Sequence, residues 1–160
     1  MNYHNILHCN ENNGTGLRVV LFVSGCDHCC KGCHNPQTHN PCSGIPFDSK
    51  AKKEIFKDLE QDWCDGLTLT GGDPLFHSNR TTIYSLVKEI KEKYPNKTIW
   101  LYTGYLYDNI KDWIDIKDIL SYCDVLVDGP FVESKKEYGL LWRGSKNQRV
   151  IDLSTGRDLV

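Results

Sequence analysis

The chain has 160 residues, 39% hydrophobic and 25% charged, the balance of a soluble globular protein with its own core rather than of a disordered or membrane chain. Nineteen basic against 21 acidic residues leave a net charge of −2, so no global positive field exists to hold a polyanion and no nucleic-acid partner is expected. The longest purely apolar run, Val19 to Val23, is far short of a membrane span, and Met1 to Cys9 has neither a basic start nor an apolar stretch suited to secretion; the expectation is one domain over residues 1–160, in the cytoplasm, without a membrane.

Leu17 to Val23 is rich in branched and aromatic residues and stops at Ser24-Gly25, which predicts a buried strand delivering its carboxyl end to the segment that follows. Glycine, proline, histidine and asparagine dominate from Asp27 to Pro46 with no helical or alternating period, so this stretch reads as a long functional loop. Beyond it, Asp48 or Ser49 can cap a helix running to about Gln61, with Ile55, Phe56 and Leu59 on one face. A strand at Leu67 to Thr70 is broken sharply by Gly71-Gly72-Asp73-Pro74. The spacing of Ile83, Leu86, Val87 and Ile90 then marks a helix. Thr98 to Tyr102 reads as a strand ended by Thr103-Gly104-Tyr105, Tyr107 to Leu120 as a less regular helix, and Val125 to Val127 as a strand closed by Asp128-Gly129-Pro130. Past Phe131 the pattern loosens into an irregular tail with a short terminal strand, in which Trp142 and Arg143 read either as interface residues or as packed ones. The alternation predicts an α/β fold with a parallel sheet, where ligands bind beyond the carboxyl ends of the strands. The cysteine loop, the Gly-Gly-Asp turn, the Thr-Gly-Tyr turn and Asp128 all fall at that edge.

Four of the eight cysteines, Cys26, Cys29, Cys30 and Cys33, crowd into eight residues, unlike a disulfide framework and like a metal or redox site. Cys26, Cys30 and Cys33 form a C-x3-C-x2-C triplet, with Gly25 and Gly32 giving the backbone freedom to wrap three thiolates round one group. An electron-transfer cluster is normally closed by four cysteines, whereas three leave one iron open to a substrate. The competing reading pairs Cys26 with Cys29 and Cys30 with Cys33 as a zinc site, but such pairs are usually separated by about a dozen residues and here they touch. A thioredoxin-like role would want one C-x2-C at a helix start without extra thiols beside it. His28, His34 and His39 can also ligate zinc, although polar-loop histidines read first as solvated side chains. Cys9, Cys42, Cys64 and Cys123 are isolated and read as packing residues or inert thiols.

The triplet together with Gly71-Gly72-Asp73-Pro74 at the next strand end resembles the radical S-adenosylmethionine superfamily. More narrowly, Met1-Asn2-Tyr3, Phe22 to Cys26, Thr70 to Pro74, Thr103-Gly104-Tyr105, Val127-Asp128-Gly129 and Leu141 to Ser145 resemble the family that activates anaerobic ribonucleoside-triphosphate reductases, over nearly the whole chain. The resemblance implies a partial, TIM-like barrel of repeated βα units. It implies a [4Fe-4S] cluster held by Cys26, Cys30 and Cys33, with S-adenosylmethionine chelating the fourth iron. Gly32, Cys33 and His34 would line the cofactor, and Gly71, Gly72 and Asp73 would meet its methionine moiety, Asp73 accepting from the ammonium. The implied partners are an external one-electron donor and the large subunit of the reductase, on which a glycyl radical is made. Two departures stand out: Thr15 replaces the usual proline of Asn-Gly-Pro-Gly, and His34 stands where a tyrosine commonly follows the third cysteine. The alternatives are an activase of another glycyl radical enzyme and, from a different class, a non-catalytic zinc-binding adaptor.

Overall fold

The computed structural model describes every residue from Met1 to Val160. Seven strands, β1 (Asn2–Asn10), β2 (Arg18–Val23), β3 (Ile45–Pro46), β4 (Gly66–Gly71), β5 (Thr98–Tyr102), β6 (Val125–Asp128) and β7 (Arg149–Asp152), form one sheet in the order β3-β1-β2-β4-β5-β6-β7. Four helices, α1 (Ser49–Leu59), α2 (Arg80–Lys93), α3 (Tyr107–Ile110) and α4 (Ile114–Leu120), fill the connections. No helix is long and apolar enough to cross a membrane.

The middle of the sheet is parallel as expected: β2 pairs with β4, β4 with β5 and β5 with β6. The flanks depart from expectation, because β1 runs antiparallel to β2 and β7 antiparallel to β6. The sheet is therefore mixed, and it stays open, with β3 and β7 at its two ends. The strand β1 escaped the hydrophobic pattern because it lies toward the edge: in Asn-Tyr-His-Asn-Ile-Leu-His-Cys-Asn only Ile6 is buried. Its register shifts twice, and Cys9 stands at φ 54 within the second irregularity.

The two faces of the sheet have different chemistry, set by the period of two along each strand. Val19, Leu21, Val23, Leu67, Leu69, Ile99, Leu101 and Leu126 join the buried faces of α1, α2 and α4 in one core. The start of α1 is locally specified: Asp48 caps it by accepting from the Ala51 N–H at 2.9 Å. The opposite face carries Arg18, Thr68, Trp100 and Tyr102, with Trp142 from the tail packed edge-on against Trp100 at 5.2 Å. Tyr102 donates its hydroxyl to the Trp142 carbonyl at 2.6 Å, so the tail folds under the sheet and Trp142 is a packed residue. With all the large helices on one side, the other side is free to carry a site.

Candidate functional site

The parallel register aligns Val23 with Gly71 and Tyr102 with Val127, so the loops after β2, β4, β5 and β6 leave the sheet at one edge. They enclose a cavity of about 140 Å³ lined by Cys26, Cys30, Cys33, His34, Gly71 and Gly72, with His28, Asn35, His39, Thr103, Phe131 and Gln148 among its other walls.

Two hydrogen bonds fold the long loop after β2 back on itself: Gly25 N–H donates to the Thr38 carbonyl at 2.7 Å and Cys26 N–H to the His39 carbonyl at 3.0 Å. Within it, Cys33 N–H donates to the Cys30 carbonyl at 3.2 Å across a turn made by Gly32 at φ 75. That turn presents Cys30 and Cys33 to the same cavity that Cys26 reaches from the strand end. Gly32 itself lies outside the cavity, where a Cβ would come 2.9 Å from Glu133. Cys29 also stays outside: it is exposed, at φ 52. The geometry thus separates the triplet from the fourth thiol, and the paired-cysteine zinc arrangement loses one of its members.

All eight cysteines are free. Burial pushes the Cys26 thiol up to about 12, the nearby Asp73, Cys30 and Cys33 push the same way, and the His28 backbone N–H opposes them. No lysine or arginine lines the cavity. Three thiols placed together without a cation suit a group that brings its own positive charge and displaces their protons. No three His, Cys, Asp or Glu side chains converge as ligands of a single ion. A four-iron core is wider than one ion and suits thiols spread around a common space. The residues present therefore fit an iron–sulfur cluster.

The glycine turn after β4 packs against the loop. Gly71 adopts φ 105, and a Cβ there would come 2.5 Å from Val23 N; at Gly72 it would come 2.5 Å from the Gly25 carbonyl oxygen. These glycines let backbone form the cavity wall. Asp73 is arranged differently from the expectation of an open ammonium acceptor. Its carboxylate is buried and already accepts from the Leu75 N–H (2.8 Å), the Thr103 hydroxyl (2.9 Å), the Gly104 N–H (3.1 Å) and His28 Nε2 (2.5 Å). It holds the turns together instead of facing the cavity.

Two of the histidines expected to be solvated, His28 and His39, turn inward, whereas His34 stays exposed at the cavity rim. His28 bonds Asp73, His39 Nε2 lies 3.3 Å from Cys33 Sγ, and the His34 ring packs on Phe131 at 4.7 Å. The hydrogen bond to Asp73 holds the His28 pKa above its ordinary value despite burial. Asn35, Phe131 and Gln148 were not legible as site residues, because their places depend on loop closure and on contacts between distant segments; His28 and His39 had been noted only as zinc-capable side chains of a polar loop.

A family model described as a 4Fe-4S single cluster domain matches residues 12–151. Proteins named anaerobic ribonucleoside-triphosphate reductase-activating protein are similar over almost the whole chain. That of Enterobacteria phage T4 is 46% identical over 150 residues, covering 94% of this chain and 93% of the relative. That of Pasteurella multocida is 43% identical, covering 92% and 95%. That of Escherichia coli K12 is 42% identical, covering 94% and 97%.

Proposed function

The chain belongs to the family of anaerobic ribonucleoside-triphosphate reductase-activating proteins, and from that premise we propose that it is a radical S-adenosylmethionine activase that makes a glycyl radical on the large subunit of the anaerobic reductase. The observation that carries the reading is the meeting of Cys26, Cys30 and Cys33 with the Gly71-Gly72 backbone around one cavity at the carboxyl edge of the parallel strands. A single domain does this work in the cytoplasm, and the four parallel strands serve as a fragment of a TIM-like barrel.

Cys26, Cys30 and Cys33 would hold three irons of a [4Fe-4S] cluster, leaving the fourth for the amino and carboxylate groups of S-adenosylmethionine. When bound, the cluster supplies an electron, taken from an external one-electron donor, that splits S-adenosylmethionine into methionine and a 5′-deoxyadenosyl radical able to take a hydrogen atom from glycine. The protein's own part is to orient and to exclude water. The Gly71-Gly72 backbone forms the cavity wall nearest the sheet edge, and glycine is required there because side chains would strike the backbone of Val23 and Gly25. The rings of His34 and Phe131, 4.7 Å apart and tilted by 48°, offer aromatic surface for an adenine. Asp73, fully engaged with its four donors, ties the turns after β4 and β5 to His28 of the cysteine loop.

Anaerobic reconstitution followed by dithionite reduction tests the reading. The expected result is about four irons per chain, 5′-deoxyadenosine released from S-adenosylmethionine, and a glycyl radical signal when the anaerobic reductase is added. Zinc in place of iron, with no cleavage, would sink it.

A further inference from the structure

His28 occupies the middle of the interval between Cys26 and Cys30, and its side chain leaves that loop to join two other strand exits. Nε2 donates to Asp73 Oδ2 at 2.5 Å in the turn after β4. The ring meets Tyr105 edge-on, with centroids 4.6 Å apart, in the turn after β5. It also lies on Gly104, where a Cβ would come 2.5 Å from its Cδ2. Because the same Asp73 oxygen accepts from Thr103 and Gly104, one carboxylate knots three segments together. Only 15% of the His28 side chain is exposed.

The loop records the constraint. Cys29, the next residue, stands at φ 52, a conformation that a non-glycine residue keeps when its surroundings impose it. The fixed His28 on one side and the Cys30–Cys33 turn on the other supply that imposition, and they send Cys29 outward while Cys26 and Cys30 face the cavity.

We propose that His28 is a positioning residue: latched to Asp73 and seated on Gly104 and Tyr105, it fixes the loop between Cys26 and Cys30 so that the triplet retains an iron–sulfur core. The proposal rests on the functional reading given above. The backbone N–H of His28 favours the Cys26 thiolate, and hydrogen bonds to ligand sulfurs help set a cluster's potential. The latch therefore acts on both retention and redox behaviour.

The test compares the full-length wild type with His28→Gln and His28→Phe after anaerobic reconstitution, measuring iron and sulfide per chain, the rate of iron release to a ferrous chelator, and the midpoint potential by electron paramagnetic resonance. Circular dichroism before reconstitution establishes that each variant is folded. Gln places an amide Nε2–H toward Asp73, whereas Phe keeps the ring on Tyr105 and cannot donate. The expected order is wild type, then Gln close behind, then Phe, with Phe releasing iron about tenfold faster or more and shifted in potential. A histidine that merely fills space gives the reverse order, because Phe preserves the packing and Gln does not. That reversal, or a Phe variant that keeps iron like the wild type, overturns the proposal. A wild type that takes up no iron–sulfur cluster overturns the functional reading and the latch together, so the wild-type arm separates the two failures.

Discussion

Asp73 donates its backbone N–H to the Gly25 carbonyl at 2.7 Å, so the turn after β4 is bonded directly to the first residues of the cysteine loop. Gly72 makes that approach possible. A Cβ there would sit 2.5 Å from the Gly25 oxygen and 3.0 Å from the Thr38 oxygen, both backbone atoms that cannot swing aside. Gly72→Ala is expected to lower stability by about 1 to 3 kcal/mol through this overpacking. It should also weaken S-adenosylmethionine binding by the reconstituted protein. Urea unfolding with an unchanged m-value and a lower midpoint checks the first expectation, and anaerobic titration calorimetry the second. Wild-type values for both would show that the turn tolerates a side chain.

Neighbouring cysteines should behave oppositely. Cys29 is exposed and points out of the cavity, while Cys30 is half-buried and lines it. Cys29→Ser is expected to keep the full complement of about four irons, whereas Cys30→Ser should lose most of them. Iron and sulfide analysis after identical reconstitution decides the matter. Equal loss in both variants would bring Cys29 back as a ligand.

The elements that sequence showed best were those whose own residues carry the signal. Thr98 to Tyr102 is a strand over the whole span expected, because β-branched and aromatic residues alternate between two packed faces. The helix expected from Tyr107 to Leu120 is instead two pieces, α3 and α4. Trp113 leaves the helical path between them, with its ring 5.9 Å from that of Tyr105 and 5.5 Å from the Arg80 guanidinium, contacts that no local period encodes. The same division holds in the cavity. The cysteine triplet and Gly71-Gly72 are short-range patterns, whereas Phe131 and Gln148 reach it from the far end of the chain. Asp73 was noticed for its carboxylate, but only the fold reveals that its oxygens are already engaged.

His8 ties the edge strand β1 to α1, with Nδ1 paired to Asp58 and Nε2 2.9 Å from Glu54. The bond to Asp58 is the largest influence and, with a lesser one from Glu54, holds its folded pKa above the ordinary 6.5 although burial, second in size, opposes them. A raised folded pKa means that the protonated form is the one favoured by folding. Its stabilisation is complete below about 6.5 and is lost as pH rises through the higher folded value. The side chain is 44% exposed, so the contribution is expected to stay below about 1 kcal/mol. His28 contributes with the same sign, and the His8 share is read as the difference between wild type and His8→Gln in urea midpoints measured across neutral pH. Parallel curves for the two proteins would mean that the pair adds no pH dependence.

Arg18 offers a way to separate stability from chemistry, because it lies at the amino ends of the strands whose carboxyl ends form the cavity. Its guanidinium is buried, stacked on Trp100 at 5.6 Å, and donates to the Thr68 and Thr98 hydroxyls and to the Thr15, Leu67 and Thr98 carbonyls at 2.8 to 3.1 Å. Burial pushes its pKa down to about 10, which leaves it charged at neutral pH. None of these acceptors is a carboxylate, so the charge is held by dipoles arranged around a planar fork. A lysine has three donors on one nitrogen and cannot meet acceptors spread in this way. Arg18→Lys is therefore expected to cost about 3 kcal/mol or more, through buried acceptors left unmet. The surviving folded protein should still load iron like the wild type, since the altered residue is remote from the cysteines. A variant equally stable in urea would deny the fork its structural role. One that is stable yet fails to load iron would place Arg18 in communication with the cavity.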